Sequence, residues 1–406
     1  MKPLIALGIL LAVGFLGAVK LFNRFRVSSP FAYLFYSGTV FVFFGLIMGE
    51  NGLNLISKEI TRHLEPLIHF SLGWVGFIFG FQLELKYLKR IHWSWYVSMI
   101  STYFITFFFI FFLGFWAIHF FSREFIPDIT IAIGFSLVLA ILVSESSISF
   151  TVWSSKFFRG HMHQMRQSSF IASSDNFFPI LFTGIIFSLY SYIPESGQIT
   201  SLPARDFFIS FGVQIVIGIL SGLGIHFLLK RIQQKLEISA VLFGVIFFIS
   251  GLALMVNFSP LFVAMITGAV FSNMTRRQTY LLKIITPTEK PIYIVFLVFL
   301  TLQKVELTMG LVLLAVILMV TKLISKGLIF KGLHKIKPHR FNMSPYFSYI
   351  LLPLGSIAPA ILLDLFIAFP EQNTRRVAGI FIFMHVVLEI FAPAAIRITQ
   401  KRLKND

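Results

Sequence analysis

The chain has 406 residues, of which 57% are hydrophobic and 13% charged, and its mean hydropathy is +0.85. Soluble domains are close to a quarter charged, so this composition excludes a soluble globular domain, a disordered chain and a coiled coil, and indicates a protein that lies in lipid. Cysteine is absent, which excludes disulfides, thiolate metal sites and a cysteine nucleophile.

Thirteen apolar segments follow one another along the chain. About 20 apolar residues of helix cross a hydrocarbon core about 30 Å thick. The segments are 3–22, 30–48, 64–83, 94–120, 128–153, 168–192, 206–229, 238–256, 260–273, 289–303, 307–330, 345–368 and 377–397. The ninth and tenth are short. Lys20, Arg24 and Arg26 follow the first segment without a small-residue cleavage site, so we interpret this segment as a helix and not as a signal peptide.

The distribution of lysine and arginine accounts for the net charge of +17. Of the 34 basic residues, we assign 25 to the loops after odd-numbered segments or to the C-terminal end, 8 to the other side and Lys322 to the interior of a segment. The 25 include Lys326, which we count with the loop after the eleventh segment. This alternation is typical of a polytopic membrane protein with the N-terminus outside and the C-terminus in the cytoplasm. It therefore explains the basic charge without nucleic acid. We expect one transmembrane domain over 1–406, in a bacterial inner (plasma) membrane, without an appended soluble domain.

Five ionisable side chains stand out within the apolar segments. They are Glu145, Asp175, Lys322, Asp364 and Glu389. Burying a charge inside a membrane span costs free energy, so we treat each of these residues as a candidate functional residue. At about 1.5 Å per residue, the first three lie roughly 10–12 Å from the cytoplasmic surface, where opposite charges can pair between helices. Each residue could instead be a structural ion pair or a helix-end residue. We prefer that interpretation for Glu389 and for Asp364, which is near the outer end of its segment and could reach water.

Two segments contain residues that interrupt a helix. The fifth carries a polar run over 144–149, and the twelfth carries Pro353, Gly355, Ser356 and Pro359. Interrupted helices in the two halves of a transporter indicate its binding site, since unwound carbonyls and half-helix ends can replace the hydration shell of an ion. Serine bonding to the preceding turn together with an ordinary proline kink is the alternative.

Three stretches resemble the monovalent cation/proton antiporters, which include Kef-like potassium/proton and sodium/proton exchangers. Residues 45–56, GLIMGENGLNLI, are similar to the end of that family's second span, although Glu50 and Asn51 replace its proline. Residues 64–85 and 258–273 are similar to two further stretches, in the same order. The resemblance implies an all-α fold of about 13 helices with inverted repeats, in which the fifth and twelfth segments are two crossing broken helices. It also implies a homodimer, with a dimerisation part at about 1–90 and 230–303 and an ion-binding core at about 94–192 and 307–397.

The same resemblance implies the site. The family's essential aspartate follows the first broken helix, and Asp175 with Ser174 before it occupies that place; the other register pairs Asp175 with Asn176. Lys322 matches the family's charge-compensating basic residue, and Glu145 is an additional acid. The candidate cation- and proton-binding residues are Asp175, Asn176, Ser174, Glu145, Ser146 and Ser147.

The resulting hypothesis is a secondary transporter that exchanges Na⁺, K⁺ or Li⁺ for H⁺ by alternating access. Asp175 would hold the monovalent cation when ionised and a proton otherwise. We expect no cofactor, and neither a zinc-protease motif nor a nucleotide-binding glycine loop indicates an enzyme. The alternatives are a sodium-coupled organic-anion symporter on the same scaffold and a channel-like or transport-silent relative.

Overall fold

The computed structural model describes residues 6, 8–10, 12–15, 30–121, 126, 128–190, 204–230, 232, 234–336, 343–369 and 372–404. Over these ranges the chain forms helices and connections without strands. Lys20, Arg24 and Arg26, on which part of the charge argument rests, lie outside the described residues, as does 337–342 in the basic loop.

Within the described residues eighteen helices follow in chain order, beginning with α1, whose described residues are 6, 8–10 and 12–15. The next nine are α2 (Pro30–Ser37), α3 (Thr39–Met48), α4 (Lys58–Phe81), α5 (Leu85–Leu88), α6 (Trp93–Phe121), α7 (Ile129–Ser144), α8 (Ile148–Ser154), α9 (Met162–Ser174) and α10 (Phe177–Tyr190). The remainder are α11 (Ala204–Leu229), α12 (Lys235–Met255), α13 (Pro260–Met274), α14 (Gln278–Ile285), α15 (Glu289–Leu302), α16 (Met309–Ile336), α17 (Ile357–Ala368) and α18 (Gln372–Leu403). A 3-10 helix, Pro345–Leu351, precedes α17.

These helices follow the thirteen predicted segments in order. Within the described residues, nine helical runs are long and apolar enough to cross a membrane, and α3, α13 and α17 are shorter apolar helices. The sixth segment begins earlier than predicted, because α9 starts at Met162. The eleventh ends later, because α16 continues to Ile336. Asp175 therefore lies farther from the start of its segment, and Lys322 farther from the end of its helix, than the sequence indicated.

The closest helix packing joins α4 to α13. Gly76 and Gly80 of α4 face backbone carbonyls of α13, and Gly268 of α13 faces the carbonyl of Phe77. A Cβ atom at any of the three would collide with the neighbouring backbone. Small residues allow two backbones to approach in a membrane, where dispersion forces between the helices replace the hydrophobic effect. Helices α11 and α12 pack on this pair.

The two interrupted segments are two broken helices that cross. Helix α7 ends at Ser144 and α8 begins at Ile148, while residues 352–356 separate the 3-10 helix from α17. The Ser147 amide donates a hydrogen bond to the Pro353 carbonyl over 3.0 Å, so the two breaks meet. The prediction of two crossing broken helices is therefore confirmed.

Candidate ion-binding site

Asp175 lies in the turn between α9 and α10 and is fully buried. Its Oδ2 accepts a hydrogen bond of 2.7 Å from Ser146 Oγ, which belongs to the break between α7 and α8. Among the described residues, Oδ1 has no hydrogen-bond partner. Since buried polar atoms are nearly always paired, an unpaired carboxylate oxygen at the crossing indicates a place for an ion or a proton.

Lys326 is the basic residue closest to Ser146 and Asp175, and its assignment to a loop from the sequence is wrong. It was counted among the basic residues of the loop that follows the eleventh segment, but α16 carries it through the interior of the protein and it is fully buried. Its Nζ donates to Ser146 Oγ over 2.6 Å and to the Leu351 carbonyl over 2.8 Å. Lys326 lies four residues after Lys322, a spacing that puts both on one helix face and could have revealed it.

Lys322 is also fully buried, but it contacts the backbone and not a carboxylate. Its Nζ donates a hydrogen bond of 2.9 Å to the Glu145 carbonyl at the C-terminal end of α7. A cation at this position compensates the negative end of the half-helix dipole. In the part of the chain that the structure describes, the one salt bridge within 4.0 Å joins Arg376 to Glu306, far from both lysines.

Glu145 occupies the crossing itself. Its Oε1 accepts a hydrogen bond of 3.1 Å from the Ala358 amide in the first turn of α17. A carboxylate is favoured there because the half-helix N-terminus carries partial positive charge. A Cβ atom at Gly355 would lie 2.9 Å from the same oxygen, so the glycine lets the carboxylate approach. Glu145 and Lys322 thus occupy opposite half-helix ends at one crossing.

The other three candidates have separate partners. Ser147 Oγ accepts from the Phe150 amide over 3.2 Å and caps α8. Asn176 Nδ2 donates to the Ala172 carbonyl over 3.3 Å. Ser174 is half-buried and lines a cavity. Of the candidate hydroxyl groups, the structure thus brings Ser146 into contact with Asp175.

Asp364 does not reach water, contrary to the sequence-based expectation. It is 2% exposed and accepts a hydrogen bond from Ser259 Oγ, because the start of α13 covers the end of α17. Glu389 is likewise 2% exposed, on α18.

Cavities of different size lie towards the two ends of the helices. One of about 560 Å³ is lined by residues that include Gln82, Trp95, Ser155, Arg166, Ser173 and Ser174. It therefore reaches the residues next to Asp175 from the side that the charge distribution assigns to the cytoplasm. Another, of about 150 Å³, lies between His69, Pro260 and Asp364. The larger of these two cavities is the one that Ser173 and Ser174 line.

No protein-family model and no curated protein matches this sequence. Among solved structures, the chain is similar to that of the sodium proton antiporter MjNhaP1 from Methanocaldococcus jannaschii at pH 8. The two chains are 16% identical, the alignment covers 99% of each, and the TM-score is 0.71. At this identity the similarity shows the fold. Over the described residues the protein is thus helical, with nine helical runs long and apolar enough to cross a membrane, and it has the fold of this antiporter.

Proposed function

We propose that this protein exchanges a monovalent cation for protons across a membrane and that Asp175 binds either one. The observation that carries the proposal is a buried carboxylate that Ser146 holds at the crossing of two broken helices and that has one oxygen without a hydrogen-bond partner among the described residues. The antiporter fold supports the same function. We propose Na⁺ as the first cation to test, followed by K⁺ and Li⁺.

Competition at one carboxylate is sufficient for exchange. Ionised Asp175, the Ser146 hydroxyl and nearby carbonyls offer oxygen ligands to a cation, whereas protonated Asp175 is neutral and binds a cation poorly. Both loaded forms neutralise the carboxylate and can cross with the moving core, while the empty charged form is held back by the cost of a buried charge.

Lys326 sets the stoichiometry in this scheme. The resemblance implies that Lys322 compensates the charge of Asp175, and Lys326 is the lysine that is hydrogen-bonded to Ser146, the residue that holds Asp175. If Lys326 stays charged, one cation exchanges for one proton and transport is electroneutral. If cation binding releases a proton from Lys326 as well, two protons exchange for one cation and transport is electrogenic.

The moving parts in this proposal are those that the resemblance assigned. The core at about 94–192 and 307–397 carries Asp175, both broken helices and both lysines. The dimerisation part at about 1–90 and 230–303 carries the close α4–α13 pair and would form a homodimer in a bacterial inner membrane. Displacement of the core against this part would expose Asp175 first to one side and then to the other.

Proton flux in proteoliposomes tests the proposal. An acid-inside pH gradient is imposed, NaCl, KCl or LiCl is added outside, and an entrapped pH-sensitive dye reports proton efflux. We expect one or more cations to collapse the gradient in the wild type and in Glu59→Gln, which removes an exposed carboxylate. Asp175→Asn should abolish the response.

Full cation-dependent flux in Asp175→Asn would refute the role of Asp175. If folded wild-type protein responds to none of the three cations, exchange of these ions is refuted, and sodium-dependent uptake of an organic anion becomes the next assay.

A further inference from the structure

A second cavity, of about 340 Å³, lies beside the half-helix α8. It shares Phe79, Gln82, Ile148 and Val152 with the cavity that reaches Ser174, and therefore opens towards the same side of the protein. Its other lining residues differ. They include Tyr33, Ser37, Glu289, Lys290, Tyr293 and Glu389. Two carboxylates and several hydroxyl groups thus line a cavity that the proposed exchange at Asp175 does not use.

Glu389 is the buried acid of this cavity. It is 2% exposed, and the side chains of Tyr33 and Ser37 line the same cavity. Among the described residues, Oε2 has no hydrogen-bond partner, and no lysine or arginine lies within 4.0 Å of either oxygen. A buried carboxylate without a cationic partner is costly, so either a proton or a bound cation is expected to neutralise it.

Lys290 is the basic residue in the lining of this cavity, and its ammonium contacts an aromatic ring instead of a carboxylate. Its Nζ lies 4.8 Å from the centre of the Tyr36 ring, within the range of a cation–π interaction. Glu289, the preceding residue, is half-buried and lines the same cavity. The lining therefore carries two acids against one base, and this negative excess attracts a small cation.

We propose that Glu389 forms a second binding site for a monovalent cation, separate from Asp175. Its ligands would be the Glu389 carboxylate and the hydroxyl oxygens of Tyr33 and Ser37, completed by water from the cavity. An all-oxygen ligand set with one buried carboxylate is suited to Na⁺ or K⁺. The site is defined by residues of α2 and α18 and does not depend on the proposed exchange.

The site is in contact with the broken helix. The Tyr33 ring lies 4.5 Å from the Trp153 ring and 5.4 Å from the Phe150 ring, both on α8. A cation bound to the Tyr33 hydroxyl would therefore restrain the helix whose first turn forms part of the crossing. Through this contact, occupancy of the second site would link the cation concentration on one side of the membrane to the position of α8.

Equilibrium binding of ²²Na⁺ and of ⁸⁶Rb⁺, as an analogue of K⁺, to the purified protein in detergent tests the proposal. The chains compared are the wild type, Asp175→Asn, Glu389→Gln and the double variant. For the ion that binds, we expect two ions per wild-type chain, one in each single variant and none in the double variant. Size-exclusion chromatography and helical circular dichroism verify that each variant is folded.

The variants separate this proposal from the proposed exchange function. The second site is refuted if Asp175→Asn binds no ion, or if the wild-type chain binds fewer than two Na⁺ ions and also fewer than two Rb⁺ ions. Proton flux alone then decides whether the protein exchanges ions. If Glu389→Gln removes one ion while Asp175→Asn removes none, the second site stands and Asp175 loses its role.

Tyr33→Phe keeps the ring and removes the hydroxyl, so it tests the site even if Glu389→Gln fails to fold. We expect binding to the Asp175→Asn chain to weaken about tenfold when this change is added, because the proposed site loses one of its oxygen ligands. Unchanged affinity would overturn the proposed ligand set.

Discussion

The Lys326 ammonium donates a hydrogen bond of 2.6 Å to Ser146 Oγ, and the same hydroxyl donates one of 2.7 Å to Asp175 Oδ2. One hydroxyl thus connects the buried base to the buried acid, and the two charges do not touch. A cation that binds Asp175 would enter beside this connection and would be repelled by Lys326. Ser146 is therefore expected to influence the affinity of Asp175 for a cation.

Replacing Ser146 by alanine should weaken cation binding without unfolding the protein. The change removes the two hydrogen bonds of this hydroxyl, one with the Lys326 ammonium and one with the Asp175 carboxylate. A hydrogen bond to a charged group contributes about 1.5–3 kcal/mol. In the proteoliposome assay we expect the half-maximal cation concentration to rise about tenfold or more. Ser149→Ala is the matched control, because Ser149 is exposed in the same polar run and should leave that concentration unchanged. Equal values for the two variants would contradict the role of the hydroxyl.

Removing the Lys326 ammonium should destabilise the protein. Lys326→Gln shortens the side chain and leaves the Leu351 carbonyl buried without its 2.8 Å donor. An unsatisfied buried acceptor costs about 1–3 kcal/mol, so thermal unfolding in detergent should occur at a temperature several degrees lower. Lys331→Gln changes an exposed lysine of the same helix and should stay within about 0.5 kcal/mol of the wild type. A Lys326→Gln chain as stable as the Lys331→Gln chain would show that the buried contacts contribute little.

Local sequence signals predicted the broken helices correctly. The polar run at 144–149 and the glycine and prolines around 355 cannot continue an apolar helix, and the structure has an interruption at each place. Asp175 was identifiable because a carboxylate in an apolar segment has few structural explanations. The contact that holds it is not local: Ser146 is 29 residues away along the chain, so only the fold determines which hydroxyl group reaches the carboxylate.

Lys326 and Asp364 show where sequence reasoning failed. Lys326 was counted with the loop lysines because it lies close to residue 330, where hydropathy ended the eleventh segment. Helix α16 continues to Ile336, so Lys326 lies well inside the helix. Asp364 was expected to reach water because it lies close to its helix end, but a residue from α13 covers it. In both cases, segments that are distant along the chain bury the side chain. The residues next to it in the sequence do not reveal this burial.

The α4–α13 contact should not tolerate a methyl group. In Gly268→Ala the new Cβ would collide with the Phe77 carbonyl, and the two backbones would have to separate. Overpacking of this kind typically costs about 1–3 kcal/mol, so we expect a lower unfolding temperature in detergent. Gly244→Ala is the control, since no atom lies within 4 Å of the position of its Cβ and alanine favours a helix. An unfolding temperature for Gly268→Ala at or above that of Gly244→Ala would contradict this packing.

The hydrogen bond between Ser259 and Asp364 joins α13, in the proposed dimerisation part, to α17, in the proposed core. Ser259 also caps α13 through the Phe262 amide over 3.1 Å. The bond lies at the small cavity on the side opposite the opening near Ser174. If the core moves so that this side opens, α13 and α17 must separate here, and this buried hydrogen bond must break.

Asp364→Asn should therefore make this side open more often. The neutral amide weakens the bond to the Ser259 hydroxyl by about 1.4 kcal/mol, which corresponds to about a tenfold larger open population. The chain has no cysteine, so Ile367→Cys introduces a single thiol at the half-buried lining of the small cavity. We expect a membrane-impermeant maleimide to label it several-fold faster in the Asp364→Asn background. A thiol at Leu254, which is 43% exposed in the same lining, should react equally fast in both backgrounds. Equal labelling rates at position 367 would show that the Ser259–Asp364 bond does not hold this side closed.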